Sequence, residues 1–111
     1  MIDIGTFEVV DDGFKGRIRT LCLDAEIVVH ALRSHDRAIS GYDVRLGPDA
    51  FGTRIGCGVS RVNGALGPCI ELLLDDPSFA APIRATLYPS LLGGGRHDLF
   101  WSKPSGRWKI E

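Results

Sequence analysis

Lysine, paired cysteine, long apolar runs and helical periodicity are all scarce in this chain. Of its 13 basic residues only three are lysine, Lys15, Lys103 and Lys109, and the rest are arginine. Arginine carries a planar fork suited to bidentate contacts that a lysine point charge does not make, although a GC-rich coding bias produces the same excess. The 3 cysteines, Cys22, Cys57 and Cys69, are odd in number and show no C-x-x-C spacing. That pattern excludes a disulfide framework and speaks against a zinc site. No run approaches the ~18 apolar residues of a membrane span, and "MIDIGTFEVV" has neither the layout nor the cleavage site of a signal peptide. The expectation is a soluble, cytoplasmic protein with reduced thiols and no membrane partner. A net charge of -1 gives no global pull toward nucleic acid or anionic lipid.

No segment keeps apolar residues at helical spacing for three turns, whereas several alternate with the period of a strand. Strands are predicted over residues 4–10, 14–21, 24–32, 42–47, 53–62, 69–76, 83–89 and 98–104. Between the first two, "DDG" places Gly13 where a tight hairpin needs a positive φ. "RSHDRAISG" (33–41) reads as a loop, "NGALGP" (63–68) and "LLGGGRH" (91–97) as turns, and "PSFAAP" (77–82) as the one place for a short helical turn. Alternation stops at Leu21-Cys22-Leu23, which predicts a bulge that swaps the buried face. In the fifth strand Ile55, Cys57 and Val59 are expected inward. The fold class is all-β: a single domain, 1–111, built as an antiparallel meander of about eight short strands closed into a barrel or a two-layer sandwich. Residues 104–111 read as a frayed tail. Exposed edge strands offer a route to a homodimer.

The most suggestive surface feature is "FKGRIRTLCL" (14–23), where Lys15, Arg17 and Arg19 project from one face of an extended chain. With Arg54 and Arg84 on neighbouring strands, these residues would form a five-cation patch for phosphates or an acidic protein. The plainer alternative is a solvated face neutralised by Asp24, Glu26 or Glu8. Trp101 alternates with Phe100, so one of the two faces away from the core and is available for stacking or an interface. Asp75 and Asp76 sit together at a strand end, a pairing that serves acid/base chemistry or a hard cation. "DDP" is equally a turn, with an Asx cap followed by proline. His30, His35 and His97 fall in separate segments and match no metal-binding pattern, the serines lack a G-x-S-x-G elbow, and Cys57 and Cys69 read as small core residues. No cofactor is indicated.

Several stretches, "IGTF", "DGFKGRIRTLCLDAEI", "YDVRLG", "IGCGVSR", "LLLDDPSFAAPIRATLYP" and "LFWSKP", resemble in order the small bacterial proteins grouped as domain of unknown function seven hundred thirty-six. The patterns G-F-x-G-x-I-x-T-L and L-D-D-P-x-x-x-x-P-I-x-A-x-L are the most specific, and Val59 stands where an aromatic is expected. The resemblance implies carriage on plasmids and conjugative or integrative elements, and it supplies no catalytic residues. The resulting expectation is a non-enzymatic interaction module of a mobile element. It would bind a protein partner, including a host defence complex, through Lys15, Arg17, Arg19, Arg54, Arg84 and Trp101. Single- or double-stranded nucleic acid is the alternative ligand, and a small enzyme using Asp75 and Asp76 the third reading.

Overall fold

A computed structural model describes residues 2–64 and 67–101, all of them in strands or their connections. Eight strands follow in order: β1 (Ile2–Val10), β2 (Gly13–Arg19), β3 (Asp24–Arg33), β4 (Ile39–Leu46), β5 (Arg54–Asn63), β6 (Gly67–Leu74), β7 (Ile83–Pro89) and β8 (Arg96–Trp101). Each pairs antiparallel with the next, and β8 returns to β1, so the meander closes into a barrel rather than a sandwich. Closure leaves no unpaired edge among these strands, which removes the edge-to-edge route to a dimer. The tail reading at 104–111 lies outside the described residues.

Alternation dictates what fills the interior. Phe7, Ile18, Ile27, Val29, Val44, Leu74, Leu87 and Leu99 are fully buried, one or two from nearly every strand, and among the described residues no buried one is polar or charged. An eight-stranded barrel is just wide enough for such side chains to meet at its axis. Phe7 fits because its register partner on β2 is Gly16. A Cβ there would lie 2.2 Å from the Thr6 carbonyl oxygen and 2.5 Å from Phe7 Cγ. The spaced glycine of "GFKGRI" is therefore a packing requirement for the central ring.

Four local expectations are corrected. Leu21-Cys22-Leu23 is a turn, not a bulge: the Thr20 amide donates to the Leu23 carbonyl (2.7 Å), and Thr20 Oγ1 accepts from the Cys22 and Leu23 amides (3.3 and 3.0 Å). In β5 the register to β4 slips between Arg54 and Gly56, so Ile55 is an extra residue and parity reverses beyond it. Gly56 and Gly58 then oppose the buried Val44 and Tyr42, while Cys57 and Val59 turn outward and Val59 is 43% exposed. Residues 77–82 hold no helical turn; the Phe79 amide closes a β-turn on the Asp76 carbonyl (2.8 Å). The 33–41 loop shrinks to five residues, since Ser34 and Arg37 hydrogen-bond across it, Arg37 adopts φ 67°, and β4 begins at Ile39. At the first hairpin Gly13 takes the expected positive φ (154°) after Asp12 (φ 62°), and a Cβ there would also meet the Val29 carbonyl oxygen at 1.9 Å.

The barrel has two unlike ends. One, the hairpin end, gathers the β1–β2, β3–β4, β5–β6 and β7–β8 connections. The other, the entry end, gathers the start of β1, the end of β8 and the remaining connections.

Candidate binding surface

The basic strand faces outward as expected, but β3 supplies acids in register. Arg17 pairs across from Glu26 and Arg19 from Asp24. Arg17 Nε donates to Asp24 Oδ1 at 2.5 Å, Arg19 Nε lies 3.8 Å from the same oxygen, and Lys15 Nζ lies 3.9 Å from Glu26. Arg33, Arg61 and Arg96 likewise contact Asp12, Glu71 and Asp98. Exposed pairs of this kind contribute only about 0–1 kcal/mol each. Their effect is on potential: the outer wall is striped with both signs, not continuously cationic. Arg19 retains the weaker share of Asp24, and its side chain is 74% exposed.

Arg54 and Arg84 do not join this face. They sit on β5 and β7, each separated from β2 by two intervening strands in opposite directions around the ring, so the five-cation patch does not form. Arg54 instead serves Asp43, whose side chain is only 13% exposed: Arg54 Nε donates to Oδ1 (2.9 Å) and Arg45 Nη2 to Oδ2 (3.1 Å). Burial pushes the Asp43 carboxyl up, but the hydrogen bonds and charges of Arg45 and Arg54 outweigh it and hold the group below its ordinary value. Arg45 also donates to the Gly52 carbonyl (3.0 Å), fastening the β4–β5 connection to the wall. Arg84 is exposed on the outside of β7, beside the register pair Leu73.

What the structure does bring together is Arg19 and Trp101. Both line a groove of about 550 Å³ at the entry end, with Ile2, Ile4, Leu21 and Ile83 supplying an apolar floor and Asp3 a second charge at the rim. Trp101 faces the barrel's interior side because β8 registers it against Ala85, so Phe100 is the outward ring, 6.1 Å from that of Tyr88. Thr20 creates the other wall: by capping the β2–β3 turn it sets Leu21 at the tip, fully exposed, with Ile2 57% exposed opposite. Phe51, on another entry-end connection, is 93% exposed. Sequence reading missed Ile2 and Leu21 as surface residues, since an apolar residue at a strand end looks like core; Ile83 packs inward as expected and also lines this mouth. The one available signal was the failed alternation after Thr20.

Elsewhere the candidates resolve into structure. Asp76 accepts from both the amide (2.9 Å) and the hydroxyl (2.5 Å) of Ser78, contacts that lower its carboxyl from the ordinary value, and Asp75 sits on β6's exit with its amide bound to the Ile55 carbonyl (2.8 Å). Among the described residues no group of three or more His, Cys, Asp and Glu is placed to hold a metal. Cys69 is buried but on the outward parity of β6, and Cys22 is exposed on the Thr20 turn. No described helix is long and apolar enough to cross a membrane.

The fold and this surface define a small closed antiparallel barrel with an apolar, arginine-rimmed mouth. Residues 3–104 match the family described as "Protein of unknown function (DUF736)", and the chain belongs to it. It is the family that the resemblance named, and its description gives neither a function nor a plasmid or conjugative setting. No curated protein and no solved structure matches the chain.

Proposed function

We propose that this protein is a non-enzymatic interaction module that takes a protein segment in the entry-end groove. The observation that carries the reading is the union of exposed Leu21 and Ile2 with half-buried Trp101 and Ile83 beneath the exposed guanidinium of Arg19. An apolar centre with an arginine rim is the usual anatomy of a protein interface. The matching partner carries an apolar anchor flanked by a carboxylate that competes with Asp24 for Arg19. Nucleic acid is disfavoured because Lys15, Arg17 and Arg19 already face Asp24 and Glu26, and phosphate binding needs uncompensated cations. Service to a plasmid or conjugative element, as the resemblance implies, points to where the partner is to be sought.

Selection of a random peptide display library on the immobilised protein tests this directly. The expected result is enrichment of peptides with an aromatic or aliphatic anchor beside Asp or Glu, whose binding drops at least about tenfold in Leu21→Asp. Failure to enrich, or peptides that bind Leu21→Asp as well as wild type, refutes it.

A further inference from the structure

The hairpin end holds a second, independent cavity of about 430 Å³, lined by Phe14, Tyr42, Ser60, Leu87, Pro89 and His97 among others. It has room because, once its parity has reversed past Ile55, β5 points the small residues Gly58 and Ser60 inward before Val62 at the rim. The size falls toward the lower end of small-molecule sites, roughly 300–1,000 Å³, and barrel mouths are a preferred place for them.

Beside Ser60 and Arg61 at the rim, the latter paired with Glu71, two ring-borne polar groups open into this largely apolar space. Tyr42 is only 7% exposed. Its hydroxyl has no hydrogen-bond partner among the described residues. Because no buried side-chain nitrogen or oxygen there is sealed from solvent without a partner, that hydroxyl must reach open space, and the cavity is the space its ring lines. His97 Nδ1 lies 3.2 Å from the Gly95 carbonyl oxygen. A carbonyl only accepts, so Nδ1 carries the proton in this contact, and the tautomer with its proton on Nδ1 presents Nε2 as an acceptor. Phe14 stands between the two, its ring 4.6 Å from His97 at 61° and 6.3 Å from Tyr42 at 48°. Edge-to-face geometry leaves ring surface for one more aromatic body.

We propose that the hairpin-end mouth is a binding site for a small, mostly apolar aromatic compound bearing a hydroxyl, a ligand of the phenol class, whose ring packs on Phe14 and Leu87 and whose oxygen is held by Tyr42. The ring occupies the volume that Gly58 and Ser60 leave empty, and Nε2 of His97 offers the acceptor for the ligand's proton. This site is on the opposite end from the groove, so occupancy of one is separable from occupancy of the other.

The test uses 2-naphthol, with naphthalene as the comparison probe, followed by amide and aromatic NMR shifts of the full chain. Saturable shifts gathered on Phe14, Tyr42, Leu87 and His97 are expected. Tyr42→Phe removes only the hydroxyl and should weaken 2-naphthol about three- to tenfold, the range of one hydrogen bond, with naphthalene unchanged. Ser60→Phe, at the exposed rim, fills the cavity and should abolish both while leaving the shifts of the entry-end residues Ile4, Ile18 and Ile27 in place, which shows that the barrel is folded. The proposal is overturned by the absence of saturable binding, by shifts centred on Leu21 and Trp101, by undiminished binding in Ser60→Phe, or by equal weakening of both probes in Tyr42→Phe.

Discussion

Replacing Gly16 by alanine adds a single methyl group against the fully buried Phe7 and the backbone of β1. The new Cβ would stand 2.2 Å from the Thr6 carbonyl oxygen, 2.5 Å from Phe7 Cγ and 2.7 Å from Phe7 Cα. Carbon contacts relax only near 3.5–4.0 Å, so β1 and β2 must separate by on the order of 1 Å. Two of the three opposing atoms belong to the backbone of β1 and cannot swing aside as a flexible side-chain tip does. Overpacking of this kind costs about 1–3 kcal/mol, and disturbance of the fully buried Phe7 places Gly16→Ala near 2 kcal/mol. A melting temperature lower by roughly 10 °C follows for a domain of this size. Urea and thermal unfolding, read by circular dichroism, provide the assay. Gly64→Ala is the control, because a Cβ there meets nothing within 4 Å, and its effect should stay within about 0.5 kcal/mol. Equal stabilities for the two variants would refute the packing argument.

Four further substitutions test the charged wall and the β2–β3 turn. Asp43 is held below its ordinary value in the fold, so its stabilising contribution is complete above the unfolded carboxyl value of about 3.9 and is lost as pH falls through the lower folded value. Asp43→Asn should therefore lower stability at neutral pH by about 1–2 kcal/mol and flatten the acid limb of the stability profile, measured by urea midpoints between neutral and strongly acidic pH. Arg54→Ala should cost about 1 kcal/mol by removing one of the two donors to Asp43, whereas Arg84→Ala should lie within about 0.5 kcal/mol of wild type in the same unfolding assay. Thr20→Val withdraws the oxygen that accepts from two turn amides, and a loss of about 1 kcal/mol, with broadened Leu21 and Cys22 amide resonances, is expected.

Strand content was legible because alternation is a local property. The predicted 83–89 strand coincides with β7, and its inward Ile83, Ala85 and Leu87 are the residues facing the core. In β5 the same rule failed beyond Ile55, where one extra residue reversed the faces; nothing in "RIGCGVS" distinguishes a bulge from continued pleating until its partner strand is in place. Thr20 misled for a related reason: its hydroxyl replaces a backbone partner in the turn, and composition alone does not reveal that. The basic face was readable, and so was its possible neutralisation by Asp24 and Glu26. Ring closure was not, and it is what sends Arg54 and Arg84 to distant walls while bringing Trp101 beside Arg19. A groove assembled from the start of β1, the end of β8 and the β2–β3 turn has no sequence-local signature.

The central claim is that the entry-end groove, and not the charged wall of β2, makes the functional contact. Its most direct test is a titration of a selected peptide and of single- and double-stranded DNA into wild type, Leu21→Asp and Arg17→Ala/Arg19→Ala at low and moderate salt, with NMR shifts locating each contact. The account predicts peptide shifts at Ile2, Leu21, Ile83 and the Trp101 indole, loss of binding in Leu21→Asp, and mild salt dependence. Tight DNA binding that falls steeply with salt and disappears only in Arg17→Ala/Arg19→Ala would contradict it.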